Sequence, residues 1–257
     1  MALWEILAPR RPLTVRKAYR WANNWGIVAI DTGILRLLFP AGLVGLGLLV
    51  ESRGWGLLQV LDLPIWLAVV VAVVILDFAV WAQHVLFHAV PVLWRLHRMH
   101  HTDLDFDVTT GLRFHPIEIV LSFGIKAGAI VWIGAPALSV LIFEIILSSL
   151  ALFNHSNARI PIGVDRVLRK WIVTPDFHRV HHSWYPHETH SNFGFNLSLW
   201  DRWFRTYRAQ PQDGHEGMTI GLAVFREPVW ERLDKMILQP FVRPAEENPE
   251  SAARRVR

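Results

Sequence analysis

Residues 76–116 read LDFAVWAQHVLFHAVPVLWRLHRMHHTDLDFDVTTGLRFHP and hold six of the chain's thirteen histidines. The stretch closes one long apolar segment and opens the next. Within it His84 and His88 form H-x-x-x-H, and His97, His100 and His101 form H-x-x-H-H. The second pattern returns about eighty residues later as His178, His181 and His182. Imidazoles three or four apart share a helix face, near enough to meet one ion or two adjacent ones. Eight clustered histidines exceed the roughly four to six positions of a single ion, so the pattern predicts two metals. Imidazole serves zinc, copper, iron and nickel alike, so spacing does not select the metal.

Composition sets the surroundings of that site. The 257 residues predict a single domain. Of these 52% are apolar and 19% charged, which points to a membrane protein. Four segments are long and apolar enough to span a bilayer: 27–50, 64–88, 115–134 and 137–154. The last two are hinged by Gly134, Ala135 and Pro136 into an antiparallel hairpin. The expected fold is therefore all-α, an integral membrane bundle of about four transmembrane helices under a cytoplasmic, helical, histidine-rich cap. Residues 1–26, with Arg16, Lys17 and Arg20 among Val15, Tyr19 and Trp21, read as an interfacial basic segment and not as a signal peptide. The charged, Pro-containing tail 244–257 reads as disordered.

Charge placement gives the orientation. Arg-rich stretches at the N-terminus, around Arg95 and Arg98, and at Arg159, Arg166, Arg169, Lys170 and Arg179 alternate with loops almost free of Lys and Arg. The positive-inside rule puts them in the cytoplasm, together with all three histidine clusters and both termini. That fits a bacterial cytoplasmic membrane or the endoplasmic reticulum. A net charge of +4 is too mild to suggest nucleic acid. Zero cysteines exclude disulfides, thiolate zinc sites and cysteine-held iron–sulfur clusters.

Further residues join the pattern. His155, at the end of the fourth span, falls on the same membrane side and is expected as a ninth ligand. His115, where the third span begins, is expected either to ligate or to cap the helix. Asp77 lies seven residues before His84 and is expected to orient a ligand histidine by accepting its hydrogen bond. His187 and His190 are expected to shape the site entrance, and His215, in a Gly-flanked loop, to face solvent. Lys126 and Glu144 lie equally far from the hinge and are expected to pair or to line one polar pocket.

These residues together resemble the fatty acid hydroxylase/sterol desaturase superfamily of membrane di-iron enzymes. The likeness rests on D-x6-H-x3-H at 77–88, H-x2-H-H at 97–101, R-x-H-P at 113–116, N-H at 154–155 and T-P-x2-H-x2-H-H at 174–182. It continues with Asn192-Phe193-Gly194 and with Trp200-Asp201-Arg202-Trp203-Phe204-Arg205-Thr206, where Phe193 stands for the usual Tyr and Arg205 for the usual Gly. The match covers roughly residues 70–208. It implies two irons, O2 as co-substrate, and hydroxylation or desaturation of a lipid C–H bond. The chain shows no flavin fingerprint, iron–sulfur ligands or haem domain, so electrons must come from an external reductase, ferredoxin or cytochrome. A zinc-dependent membrane hydrolase would need one metal with an open position, and the histidine surplus counts against it. A metal transporter or sensor would carry ligands near the bilayer midplane, whereas these gather at span ends.

Overall fold

The structure is a computed structural model that describes residues 1–61 and 63–243; the expectation for the tail 244–257 lies outside the described residues. It is helical, with no strand among the described residues and only isolated bridges such as Pro9 to Ala158. Seven helices position the site: α1 (Lys17–Leu38), α2 (Gly42–Arg53), α3 (Ile65–Ala89), α4 (Pro91–His101), α5 (Pro116–Ile133), α6 (Ala137–Asn154) and α7 (Pro175–His181). The boundaries follow from the backbone chemistry of proline and glycine. Pro91, Pro116 and Pro175 sit in the first turns of α4, α5 and α7, where a missing N–H costs nothing. Gly134 ends α5 in the left-handed conformation, φ 72°, and Pro136 precedes α6, which makes the expected hairpin.

Four helical segments are long and apolar enough to cross a membrane: Lys17–Val60, Ile65–Ala89, Pro116–Ile133 and Ala137–Asn154. The first differs from the sequence expectation of one helix over 27–50. Pro40 breaks it, because a prolyl ring removes the N–H and crowds the preceding turn. Phe39 stacks on Phe123, halfway along α5, at 4.0 Å. Gly56 lies against Gly134 at the far end of α5, so close that a Cβ there would stand 2.2 Å from the Gly134 nitrogen. The crossing is thus a bent pair, α1 followed by α2.

Leu43, Val50, Leu76, Val80, Ile133 and Phe143 form the core between these helices. Only 17–33% of each span is buried. Their outward residues are also apolar (Leu37, Ile65, Trp66, Trp132 and Ile145 are exposed), so the outer face requires a hydrocarbon solvent. At the opposite end from the hairpin hinge, the polar part of the chain closes over the helix ends. Arg20 is fully buried there and pairs with Asp103 and Asp107 at 2.7 Å each. Within the basic segment 1–26, α1 runs unbroken from Lys17 into the first crossing, and Arg20 faces protein and not an interface. Arg113 pairs with Glu231 and joins the C-terminal part to the same layer. Lys126 and Glu144 pair at 2.8 Å between α5 and α6, one of the two arrangements expected from their equal distance to the hinge.

Candidate metal centre

The histidine-bearing helix ends converge. His84 and His88 come from the last turns of α3, His97, His100 and His101 from α4, and His178 and His181 from α7, with His155 and His182 capping α6 and α7. All nine are buried. They form two groups in which one nitrogen per ring lies within 4.8 Å of the others: His84, His88, His97, His101 and His181, then His100, His155, His178 and His182. The groups adjoin, with the rings of His101 and His182 stacked at 4.7 Å.

Helical geometry explains the H-x-x-H-H pattern. In each copy the i and i+4 rings project together and the i+3 ring lies to one side. His97 and His101 therefore serve the first group and His100 the second. In the other copy the roles exchange, with His178 and His182 in the second group and His181 in the first.

The protons show what these groups fit. His84 Nδ1 donates to the Phe193 carbonyl at 2.7 Å and His181 Nδ1 donates to the Ser191 carbonyl at 2.6 Å. A carbonyl only accepts, so each neutral ring spends its one proton there and leaves Nε2 bare. Yet the two Nε2 atoms face each other at 3.0 Å. His97 repeats the arrangement, with Nδ1 at 2.6 Å from Glu118 Oε1 and Nε2 at 3.1 Å from His84 Nε2. Lone pairs facing at this distance repel unless a cation lies between them. Metal–nitrogen bonds of about 2.1 Å at right angles place neighbouring nitrogens about 3 Å apart, which is the spacing found. The donor set fits a metal.

The second group is held differently. His155 Nδ1 donates to the Ala151 carbonyl at 2.8 Å, and its Nε2 faces those of His100 and His178 at 3.2 and 3.1 Å. The Nδ1 atoms of His100, His178 and His182 are buried without a partner among the described residues, as is His182 Nε2. Burial and neighbouring imidazoles hold His100, His101, His178, His181 and His182 well below the usual imidazole range. Burial lowers His97 and His155 to about 3. All seven are neutral at pH 7, the form that offers a lone pair.

Two expectations, for Asp77 and His215, are corrected, and of the two roles expected for His115 the structure shows the cap. Asp77 does not reach a histidine: two helical turns separate it from His84, and its Oδ2 accepts from Trp200 Nε1 at 2.7 Å and from the Leu197 N–H at 3.3 Å. His115 stands outside both groups. Its Nδ1 accepts from the Ile117 N–H and its Nε2 donates to the Ile237 carbonyl, so it caps α5 and ties down the C-terminal part. His215 is buried, not exposed, with Nε2 at 3.7 Å from Asp176 Oδ2. His187 is exposed, while His190, also exposed, sets its Nδ1 at 3.2 Å from His88 Nδ1.

Glu118 is the site residue that sequence reasoning missed. It lies in the first turn of α5, where an acid also suits the helix dipole, and that bland role hides its contact with His97. Asp201 is a second omission of detail. Its carboxylate accepts from the N–H groups of Phe193 and Gly194 at 2.9 and 2.7 Å and so fixes the turn whose carbonyl holds His84.

A cavity of about 410 Å³ opens from the first group into the spans, between α1, α3, α5 and α6, with His84 and His97 in its wall. None of the four rings of the second group lines it.

A buried all-histidine double site at the end of apolar spans is a membrane-protein site that could hold metal. The chain belongs to the fatty acid hydroxylase family, whose model matches residues 69–206. It is 30% identical over 150 residues to an ornithine lipid hydroxylase of Rhizobium tropici, covering 58% of this chain and 44% of that protein. It is 25% identical over 224 residues to an alkylglycerol monooxygenase of Xenopus tropicalis, covering 84% and 47% respectively. The human alkylglycerol monooxygenase is 26% identical over 160 residues, 60% of this chain and 33% of the relative. The chain thus spans less than half the length of these relatives. No solved structure matches it.

Proposed function

We propose that the protein is a membrane-embedded, O2-dependent di-iron enzyme that hydroxylates or desaturates a C–H bond of a lipid with electrons from an external donor. The observation that carries this reading is the set of bare, facing Nε2 atoms of the first group beside a cavity that opens among lipid-facing helices. The names of the relatives, an ornithine lipid hydroxylase and alkylglycerol monooxygenases, favour hydroxylation of a lipid. His84, His88, His97, His101 and His181 would hold one iron and His100, His155, His178 and His182 the other. Bound there, the irons would supply the redox power to attack an unactivated C–H bond, which no side chain has. For hydroxylation the balance is R–H + O2 + 2e⁻ + 2H⁺ → R–OH + H2O.

The protein's own part is orientation and exclusion. Phe193, Ser191 and Ala151 carbonyls and the Glu118 carboxylate fix the rings through Nδ1, so Nε2 points inward. Val80, Phe87, Leu147 and Leu152 give the cavity apolar walls that admit an alkyl chain and exclude water. The histidine end faces the cytoplasm in this reading. Exposed Arg159, Arg166 and Lys170 offer an acidic electron carrier a docking face, whereas Arg169 and Arg179 are buried in pairs with Asp165 and Asp176. The test is lipid profiling and oxygen uptake in cells expressing the wild type or His181→Ala. A lipid gaining one oxygen, absent with His181→Ala, is expected; identical lipid profiles would reject the reading.

A further inference from the structure

The cavity beside the first histidine group has an uneven polar lining. Its face toward the group carries Asp31 of α1, Gln83 of α3 and Glu118 of α5. Asp31 is 7% exposed and Glu118 3%, so both carboxylates are more than nine-tenths buried. Asp31 Oδ1, Gln83 Oε1 and Glu118 Oε2 each lack a hydrogen-bond partner among the described residues. Each of the three orphaned atoms can accept a hydrogen bond. The amide donor of Gln83 is already spent on Ser122 at 2.9 Å, and the Lys126 ammonium is paired with Glu144 at 2.8 Å. A buried acceptor without a donor loses its hydration and gains nothing in return. Three helices contribute one such atom each to the same cavity wall. The shared feature is the cavity, so the missing partner is something that enters it.

We infer that this wall is a binding site for the hydrogen-bond-donating group, hydroxyl or ammonium, of a lipid whose alkyl chain fills the rest of the cavity. The inference rests on reading the cavity as the lipid site and narrows its substrate class. A plain hydrocarbon or fully capped lipid would leave Asp31, Gln83 and Glu118 unpaired. A lipid with free hydroxyl or amine protons would pair them and thereby hold its neighbouring carbons beside His84 and His97. Sites built to hydrogen-bond a group reject analogues that lack it far more strongly than apolar pockets reject a missing methylene.

The experiment measures binding and not turnover. Purified protein in nanodiscs, under argon and without an electron donor, is titrated with dodecylamine, 1-dodecanol, dodecyltrimethylammonium and dodecyl methyl ether, each corrected for partition into empty nanodiscs. Dodecylamine and dodecanol are expected to bind at least about tenfold more tightly than the ether. The amine binding more tightly than the alcohol would identify an ammonium lipid; equal binding would identify a hydroxyl lipid. Asp31→Leu combined with Gln83→Leu is expected to bring the probes within about twofold of one another with bound iron unchanged. Asp31→Asn, which keeps the side-chain shape, is expected to weaken dodecylamine and leave the ether unaffected. Equal binding of alcohol and ether by the wild type, a preference that survives in both variants, or trimethylammonium binding as tightly as the amine would overturn the inference. Lipid oxidation with no probe preference would reject this site alone; a probe preference without any lipid oxidation would reject the enzyme reading and leave the site standing.

Discussion

The two histidine groups contain the same chemistry held to different degrees. In the five-membered group, His84, His97 and His181 each spend the Nδ1 proton on an oxygen, and their inward nitrogens are left facing one another. In the four-membered group only His155 does so, and three Nδ1 atoms are buried with no partner among the described residues. Three of the five rings of the first are oriented by two loop carbonyls and a carboxylate from a span, while His101 Nδ1 is buried with no partner among the described residues. The second is held mainly by its place between α4, α6 and α7. The cavity opens onto the first group alone, so in the proposed reading the better oriented rings stand where a lipid would enter. If two metals bind as proposed, the better held rings would suit the one beside the lipid, where position decides which carbon reacts.

Replacing one ring in each group tests that division most severely. His181→Ala is expected to reduce lipid oxidation to background and to remove one of two bound metals, and His178→Ala to remove the other. Metal content per chain checks both. Next comes the orienting carboxylate: Glu118→Leu is expected to cost about 10–100-fold in metal affinity or activity, with Glu118→Gln, which can still accept from His97, nearer the wild type. Metal titration against a competing chelator distinguishes the two variants, and equal affinities would show that the rings need no such partner.

Acid sharpens the comparison on a smaller scale. Burial lowers His97 and His155 to about 3 in the folded chain, against about 6.5 when unfolded. Between those values the unfolded chain binds protons that the folded one refuses, so stability falls as pH drops from about 6.5 toward 3. Thermal melts of metal-free protein are expected to show this loss, and bound metal, which also keeps protons off the rings, is expected to raise the melting temperature without making the slope shallower. The smallest effect expected is at Arg205, which adopts φ 60° where a side chain is unfavourable. Arg205→Gly is expected to stabilise the protein by about 1 kcal/mol, read from denaturant melts, with metal content unchanged.

Much of this was readable in the sequence because it depended on local rules. Hydrophobic length found the spans, Gly134 and Pro136 found the hairpin, and the repeated histidine spacing found the ring clusters. The bend at Pro40 was hidden because the residues on both sides are apolar enough to be read as one span. The split of each H-x-x-H-H between two groups was hidden for another reason: spacing shows which rings share a helix face, but not what faces them. Asp77 and Glu118 exchanged roles by the same token. Asp77 sits on the histidine-bearing helix but two turns away, where Trp200 meets it. Glu118 comes from another span, and only tertiary packing brings it to His97. His215 was misjudged because flanking glycines suggested an open loop, whereas the loop folds back against Asp176.

Whether two metals occupy the two groups is answered most directly by elemental analysis of protein purified without added metal and reconstituted anaerobically with ferrous iron. About two irons per chain in the wild type and about one in His178→Ala are expected. A single metal ion per wild-type chain, or zinc retained against an excess of iron, would contradict it.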